Sequence, residues 1–258
     1  MNILDEIIVK KKERLEIRKA EFPLHKIKEN LAMAYHGALM GDPPKYPFKN
    51  SLIGKKKAII AEIKKASPSA GIISKEFDPI KIARRYKKFG ASALSILTEE
   101  DYFLGKIAHH RQVKWHSNVN LPILRKDFIF DKYQIWESAM IGSDCILLIA
   151  SILNDKQLEE FAVLAEFLQL DYIIEVHDKE ELKRVENFPN AIIGVNNRNL
   201  KTFNVDIQNS IKMRNLFKKD NIFIAESGIK NQKDIDTLVS NGIHVFLIGE
   251  SLMKGDFF

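Results

Sequence analysis

Between Ala58 and Gly71 the chain joins a short apolar run to residues that could transfer protons. The run is typical of a buried strand, and Glu62, Lys64 and Ser67 fall where that strand should end. In parallel α/β enzymes the reacting groups lie at the carboxyl ends of the strands, where the loops begin. The stretch therefore predicts an acid/base group, although Glu62 and Lys64 alone would also suit an ion pair on an edge strand.

Polar residues also follow the other apolar runs, and in a parallel barrel they would converge on one mouth. Repulsion between Lys64 and Lys126 would lower the pKa of one of them, while burial would shift the pKa of Glu175 in the opposite direction. Each residue alone would also suit a structural ion pair, but together they favour catalysis. The converging residues are Glu62, Lys64, Thr98, Glu99, Lys126, Asp127, Glu175, Asn196, Asn197, Arg198, Glu226, Ser227, Gly228, Gly249, Glu250 and Ser251.

Two short segments, Ser227-Gly228 and Gly249-Glu250, each lie between a predicted strand and a predicted helix. Backbone N–H groups at such a position can point at an anion, and glycine lets the anion approach closely. Barrels commonly bind phosphate on their seventh and eighth loops. Either glycine alone could be only a turn residue, but the pair predicts a phosphate site.

An apolar run followed by an amphipathic segment occurs eight times from residue 58 onward. Runs that are apolar throughout indicate strands buried on both faces, as parallel strands under helices are. Asp78-Pro79, Asp131, and Asn154 or Asp155 are start signals for the intervening helices. We therefore predict a (β/α)8 TIM barrel; an open doubly wound sheet, the alternative, would carry a glycine-rich fingerprint after its first strand. The runs are Ala58 to Ile63, Ala93 to Leu97, Leu121 to Leu124, Cys145 to Ala150, Tyr172 to Val176, Ala191 to Val195, Ile222 to Ala225 and Val245 to Ile248.

The segment before the barrel predicts two helices, followed by a stiff connection at Pro43, Pro44 and Pro47. The expected organisation is an N-terminal helical extension over residues 1–45 and a barrel over residues 46–258. The apolar faces of the two helices contain Ile3, Leu4, Ile7, Ile8 and Leu15 in the first and Leu24, Ile27 and Leu31 in the second.

The composition is that of an ordinary globular protein of 258 residues, 45% hydrophobic and 29% charged. No run of 18 uncharged apolar residues is present, and the N-terminus does not read as a secretory signal, so no membrane association is expected. The single cysteine, Cys145, cannot form an intramolecular disulfide, which indicates a reducing compartment, the cytoplasm.

The net charge of +6 would suit either nucleic acid or an anionic metabolite. Lys10-Lys11-Lys12 and Arg84-Arg85 alternate with acids on helical segments, which is typical of a solvated helix face. Without a zinc-finger spacing or an RNA-stacking motif, a small molecule is the expected partner and nucleic acid is not. His109, His110 and His177 lack metal-ligand spacing with nearby acids, so we interpret them as surface or loop residues and expect no metal.

Seven segments, in order along almost the whole chain, resemble those of the indole-3-glycerol phosphate synthase family. They are Glu62-Ile63-Lys64-Lys65-Ala66-Ser67-Pro68-Ser69, Leu97-Thr98-Glu99, Leu124-Arg125-Lys126-Asp127-Phe128, Glu175-Val176-His177, Gly194-Val195-Asn196-Asn197-Arg198-Asn199-Leu200, Glu226-Ser227-Gly228-Ile229 and Gly249-Glu250-Ser251-Leu252-Met253.

The resemblance implies a carbon–carbon lyase of tryptophan biosynthesis that needs no cofactor or metal. It would close the ring of 1-(2-carboxyphenylamino)-1-deoxyribulose 5-phosphate to give indole-3-glycerol phosphate, CO2 and water. Lys126 would be the general acid on the ketone oxygen. Glu175 and Lys64 would assist dehydration and Glu62 would orient a lysine, while the division of acid roles between the two lysines stays open.

The resemblance also implies a substrate enclosure, with the N-terminal extension capping the barrel. Asn196 would join the catalytic residues, and Glu226 would join the substrate-binding residues. A monomer is expected, with association with other tryptophan-pathway enzymes left open. Two positions depart from the family pattern: Ala70 replaces a basic residue and Lys106 replaces a serine. Phosphate would contact Ser67, Ser227, Gly228, Gly249 and Glu250, the anthranilate end would face Asn196 and Arg198, and the apolar wall would be Phe103, Phe128, Leu147 and Leu200.

Two alternative functions stay open, of which the second belongs to a different class of protein. A sugar-phosphate aldolase on the same fold would form a Schiff base through Lys126. A noncatalytic basic protein would instead bind nucleic acid in a salt-dependent manner.

Overall fold

Strands and helices alternate along the chain. The computed structural model describes residues 3–37, 47–199 and 202–257. The strands are β1 (Ala58–Ile63), β2 (Ala66–Ser67), β3 (Gly71–Ile72), β4 (Ala93–Leu97), β5 (Ile123–Lys126), β6 (Cys145–Ile149), β7 (Asp171–Val176), β8 (Ile192–Asn196), β9 (Phe223–Glu226) and β10 (Val245–Ile248). The helices are α1 (Ile3–Glu21), α2 (Leu24–Gly37), α3 (Pro47–Leu52), α4 (Pro79–Phe89), α5 (Ile107–His116), α6 (Lys132–Met140), α7 (Asp155–Phe167), α8 (Lys179–Arg184), α9 (Gln208–Leu216), α10 (Gln232–Ser240) and α11 (Glu250–Lys254).

Eight of the strands form a closed parallel barrel, in which each strand pairs with the next one along the chain and β10 closes on β1. The short strands β2 and β3 form an antiparallel hairpin that follows β1. The (β/α)8 prediction is confirmed, and the open doubly wound sheet is excluded. The strands appear in the sequence as apolar runs because they are buried on both faces: every residue of β4, β6 and β7 is buried.

Three strands extend beyond their apolar runs into the predicted loops. Lys126, Asn196 and Glu226 are the last residues of β5, β8 and β9. The ladders explain this, because Lys126 is in register with Leu97 and Asn196 with Glu226. These side chains are therefore carried by strands, which hold them more rigidly than loops would.

The predicted helix starts are confirmed. Asp78 accepts hydrogen bonds from the backbone N–H groups of the first turn of α4. Asp131 and Asn154 form capping boxes at the starts of α6 and α7. Such caps satisfy backbone donors that have no partner inside the helix.

Helix α5 begins without this support, because its N-cap, Lys106, has extended backbone angles and makes no side-chain cap hydrogen bond. A serine at position 106 could accept a hydrogen bond through its hydroxyl from a backbone N–H group in the first turn of α5. We expect Lys106→Ser to raise the free energy of unfolding by about 0.5–1 kcal/mol. Urea denaturation measures the change, and Lys106→Ala, which supplies no acceptor, is the control. Equal stability of the two variants would contradict the prediction.

The two predicted N-terminal helices are confirmed as α1 and α2. Leu15, Ile27 and Leu31 form a buried cluster with Tyr133 of α6. Pro43 and Pro44 lie outside the described residues, and Pro47 is the first residue of α3.

Helix α3 covers the opposite end of the barrel from the strands' carboxyl ends. Its Phe48 and Leu52 join a core cluster with Ala58 and Ile60 of β1. The Asp171 carboxylate, at the start of β7, accepts a hydrogen bond from the backbone of Lys49 at 2.8 Å. This end is therefore closed by packing, and the other end remains for a site. Within the described ranges, no helix is both long and apolar enough to span a membrane.

Candidate active site

A cavity of about 570 Å³ opens at the carboxyl ends of the barrel strands. Residues of α1, Ile3, Leu4 and Ile7, form part of its lining. Leu200 lies outside the described residues, so its predicted place in the wall is not assessed. Three of the residues predicted to converge here, Thr98, Glu99 and Asn197, are buried beside the cavity and do not line it. The residues predicted for catalysis, substrate binding and the apolar wall that do line it are Glu62, Lys64, Ser67, Phe103, Lys126, Phe128, Leu147, Glu175, Asn196, Arg198, Glu226, Ser227, Gly228, Gly249 and Glu250.

Lys126 lies between two carboxylates at the base of the cavity. Its Nζ is 2.9 Å from Glu175 Oε2 and 2.5 Å from Glu226 Oε2. The three residues end or lie near the end of three different strands, so only barrel closure brings them together. Glu226 was predicted among the substrate-binding residues; the structure groups it with the proposed acid/base residues.

The pKa values of this group differ from the sequence-based expectation. Although burial opposes its charge, the carboxylates of Glu175 and Glu226 raise the pKa of Lys126, so the prediction of a pKa lowered by Lys64 is wrong for Lys126. Burial likewise works against ionisation of Glu175, but Lys126 and His177 lower the pKa of that carboxyl, so the prediction for Glu175 is also wrong.

The raised carboxyl pKa belongs to Glu226 instead. Burial, followed by the charge of Glu175, raises the pKa of Glu226 to about 7 despite its contact with Lys126. Two neighbouring carboxyls thus have pKa values pushed apart, one fully ionised and one able to hold a proton at neutral pH. Such separation is typical of acid/base pairs in active sites.

A glycine makes room for the Glu226 carboxyl inside the barrel. A Cβ added at Gly194 of β8 would overlap Glu226 Oε1 and would also press on Ile173. The Oε1 atom is buried and has no hydrogen-bond partner among the described residues. Burial without a partner disfavours the charged carboxylate, which agrees with the raised pKa of Glu226.

Glu62 and Lys64 form a second pair at the end of β1. Lys64 Nζ lies 2.6 Å from Glu62 Oε1, and both side chains are largely buried. The pair lies inside the closed barrel, so the edge-strand interpretation is wrong. The contact fits the predicted orientation of a lysine by Glu62.

Asn196 connects the Lys126 group to the β8 loop. Its Nδ2 donates to Glu175 Oε1 at 3.1 Å, and its Oδ1 accepts from the Arg198 backbone N–H at 3.0 Å. Asn196 therefore fixes the orientation of the Glu175 carboxylate, whose other oxygen faces Lys126.

His177 was missed as part of the site. Its Nε2 is 3.3 Å from Glu175 Oε1 and its Nδ1 is 3.2 Å from Glu181 Oε2. Although burial opposes protonation, these two carboxylates raise the pKa of His177 to about 10. His177 follows β7 and is a loop residue, as predicted, although its side chain is only 13% exposed. His110 is fully buried in α5, so the surface-or-loop interpretation is wrong for His110. The sequence Glu175-Val176-His177 carried the signal, because alternate residues at a strand end share a face.

The upper part of the cavity combines aromatic walls with the predicted anion loops. Phe103 and Phe128 have ring centroids 6.1 Å apart. After β9, Ser227 and Gly228 both have positive φ, 66° and 79°. Asn197 Nδ2 donates to the Ser227 carbonyl at 3.1 Å, which holds this turn in place. The loop backbone is thus fixed beside the apolar slot.

The fold and this cavity define a (β/α)8-barrel enzyme class whose paired lysines and carboxylates lie at the carboxyl ends of the strands. The family model of indole-3-glycerol phosphate synthase matches residues 4–257, and the chain belongs to that family. The resemblance noted in the sequence is thereby confirmed.

Curated relatives with the same name cover nearly the whole chain. The protein named indole-3-glycerol phosphate synthase in Endomicrobium trichonymphae is 45% identical over 253 residues, covering 98% of this chain and 95% of that protein. The one in Lachnoclostridium phytofermentans is 42% identical over 257 residues, covering 98% and 94%. The one in Legionella pneumophila strain Paris is 49% identical over 199 residues, covering 77% and 76%.

A solved structure agrees with the fold alone. A chain of the tryptophan synthase a2b2 complex from Pyrococcus furiosus superposes with a TM-score of 0.55 at 12% identity, covering 77% of this chain and 88% of that chain. At this identity the similarity concerns the barrel and not the chemistry.

Proposed function

We propose that the protein is an indole-3-glycerol phosphate synthase that acts on 1-(2-carboxyphenylamino)-1-deoxyribulose 5-phosphate. The observation that carries the proposal is Lys126, paired with two carboxyls of opposite pKa shift beneath an aromatic slot. Membership of the family supports the same reaction.

In the ring-closure step the ammonium group of Lys126 is the proton donor. The aromatic carbon that bears the carboxylate attacks the ketone carbon, and Lys126 donates a proton to the ketone oxygen. The raised pKa of Lys126 keeps its amine charged at neutral pH, as a general acid requires. Loss of CO2 then restores the aromatic ring.

Dehydration needs a second acid and a base. Lys64, held by Glu62 at 2.6 Å, donates a proton to the departing hydroxyl. Glu175 accepts the proton that leaves the neighbouring carbon, and its lowered pKa keeps it ionised. Glu226, with a pKa of about 7, returns a proton to Lys126. Two protons are donated to the substrate and one is removed, which balances the conversion of a carboxylate and a hydroxyl to CO2 and water.

The rest of the cavity suits the two ends of this substrate. Phe103 and Phe128 would hold the aromatic ring, with Arg198 near its carboxylate, because a planar apolar ring with one charge needs a slot and a cation. Backbone N–H groups of the loops after β9 and β10 would bind the phosphate, with the Ser67 hydroxyl nearby.

The test is direct. Purified protein mixed with the proposed substrate should release one CO2 per indole-3-glycerol phosphate formed, with the fluorescence of the indole ring appearing at the same rate. Borohydride added during turnover should trap no covalent adduct, whereas an aldolase using Lys126 would be trapped as a reduced Schiff base. Absence of turnover together with salt-dependent binding of random duplex DNA would overturn the enzyme assignment.

The phosphate loop gives a matched pair of glycine variants. Gly228 and Gly242 have nearly the same positive φ, 79° and 75°, but a Cβ at Gly228 would overlap Val205 whereas one at Gly242 would meet nothing. Both substitutions to alanine carry the same backbone strain. Gly228→Ala should also displace the phosphate loop and raise the KM at least roughly tenfold, because a hydrogen bond to a charged group contributes about 1.5–3 kcal/mol.

Steady-state kinetics and competitive inhibition by inorganic phosphate measure this effect. Gly242→Ala should keep the wild-type KM, because Gly242 precedes β10 at the opposite end of the barrel. If phosphate inhibits Gly228→Ala as strongly as wild type, the anion binds elsewhere.

We further propose that the enzyme works in the cytoplasm as a monomer. The single buried cysteine, Cys145, agrees with a reducing compartment. Every side chain given a step in the proposed reaction belongs to this chain, so that chemistry requires no residue from a second copy.

A further inference from the structure

Helix α1 is attached to the barrel by a row of cations. Its basic residues face acids that follow β4 and β5 or lie at α6. These basic side chains differ in burial: Lys11 is the most buried and Arg14 the most exposed. The pairs, in chain order, are Lys11 with Asp127 at 2.7 Å, Arg14 with Asp101 at 2.6 Å, Arg18 with Glu100 at 2.9 Å and with Glu137 at 3.1 Å, and Lys19 with Asp131 at 2.7 Å.

Lys11 differs from the others in its burial. Its side chain is 8% exposed, against 50% for Arg14. The prediction that Lys10-Lys11-Lys12 forms a solvated helix face is therefore wrong for Lys11. A lysine is rarely buried unless it is paired, and its partners here are Asp127 and, at 3.5 Å, Glu100. The contact with Asp127 is the shorter of the two.

Asp127 holds the chain directly after Lys126. Its Oδ1 accepts from the Phe128 backbone N–H at 2.8 Å and also faces Lys11. Its Oδ2 accepts from Thr98 Oγ1 at 2.6 Å and from Arg125 Nη2 at 3.1 Å. The Thr98 backbone N–H in turn donates to the Lys126 carbonyl at 3.1 Å. The side chain of Asp127 thus fixes the backbone on which Lys126 and Phe128 are mounted.

The partners of Asp127 fall into two groups. Thr98, Arg125 and Phe128 belong to the barrel. Lys11 belongs to α1, whose first turns also line the cavity. The Lys11–Asp127 pair therefore connects the position of α1 to the end of β5.

We propose that Lys11 is a positioning residue for the reaction, acting through Asp127 to fix the end of β5 when α1 lies over the cavity. The inference rests on the proposed function for its kinetic test. Lys126 sits directly before Asp127 and Phe128 directly after it, so one contact sets both the acid and part of the aromatic wall. A small displacement of such a group lowers the rate of the chemical step more than the affinity for substrate.

The test compares three variants of the full-length chain. Lys11→Met removes the charge while keeping a long side chain, and Lys11→Arg restores a charge. Arg14→Met is the matched control, because Arg14 lies one turn further along α1 and pairs with Asp101 instead of Asp127. Lys11→Gln replaces Lys11→Met if the latter does not fold.

We expect Lys11→Met to lower kcat roughly 10- to 100-fold while KM changes by less than about threefold. Lys11→Arg should recover part of the lost kcat, and Arg14→Met should keep wild-type values. A kcat of Lys11→Met within twofold of wild type, an equal loss in Arg14→Met, or an effect confined to KM would each overturn the proposal.

A second measurement does not depend on the reaction. Hydrogen exchange of the peptide that spans residues 125–130 reports the bond between the Phe128 N–H and Asp127. It should be faster in Lys11→Met and unchanged in Arg14→Met. Unchanged exchange in Lys11→Met would refute the role of Lys11 whatever the substrate, whereas a wild-type protein without turnover would refute only the proposed function.

Discussion

Lys126→Ala is expected to lower kcat roughly 10²- to 10⁴-fold while leaving the barrel folded. The variant loses the ammonium that donates to the ketone oxygen, and no other cation lies within ion-pair distance of both Glu175 and Glu226 among the described residues. Folding should survive because Glu226, with a pKa of about 7, can take up a proton when the lysine is absent. Kinetics and circular dichroism measure the two parts.

Lys132→Ala is a suitable control for Lys126→Ala. Lys132 is an exposed lysine of α6 that pairs with Glu160 at 2.7 Å, outside the cavity. Its loss should leave kcat unchanged, because exposed ion pairs contribute little. Near-native turnover in Lys126→Ala would exclude Lys126 as the general acid, and a similar loss in Lys132→Ala would indicate a general effect of charge.

Deletion of residues 1–45 is expected to lower kcat/KM roughly 10²- to 10⁴-fold. We propose that this segment is a lid, because Ile3, Leu4 and Ile7 line the cavity and exclude water from the aromatic slot. KM should rise as the slot is exposed, and kcat should fall because Lys11 is lost. The eight strand–helix units remain, so the barrel should stay folded. Kinetics with circular dichroism test the lid and the fold together.

We also expect the truncated protein to have a lower melting temperature than the full-length chain. Leu15, Ile27 and Leu31 pack on Tyr133, and deletion exposes that face of α6. Ile7→Ser tests the enclosure of the cavity without deleting the segment, because Ile7 is 3% exposed and lines the cavity. Ile17→Ser is the control, because Ile17 is 60% exposed on the same helix. Only Ile7→Ser should raise KM. Unchanged kinetics in the deletion would rule out the lid, and loss of the folded signal would make the segment part of the core.

The barrel was predictable because its strands are buried on both faces, so an apolar run marks each one. The ends of β5, β8 and β9 were missed by one or two residues, since a polar residue that faces the cavity looks like the start of a loop. Lys126, Asn196 and Glu226 end these strands. The positions of the site residues were therefore predictable from topology.

The electrostatics of the site were not predictable in the same way. Lys126 and Glu226 are 100 residues apart in sequence, and their contact depends on the exact stagger of the strands. The pKa of Glu226 also depends on Gly194, whose lack of a side chain leaves space for the carboxyl. Lys11 was misassigned for a similar reason. It is buried against Asp127, which is distant in sequence, and the periodicity of a helix does not indicate such a partner.

Closure of the barrel also affects how the chain folds. Ala58 of β1 is in register with Val245 of β10, so the final ladder joins segments far apart in sequence. During synthesis, β1 and β9 keep unpaired edges until β10 leaves the ribosome, and such edges favour aggregation. The entropy cost of this closure grows only slowly with the length of the intervening chain. Nascent chains that stall before residue 245 should therefore depend on chaperones, whereas chains that include β10 have no exposed barrel edge.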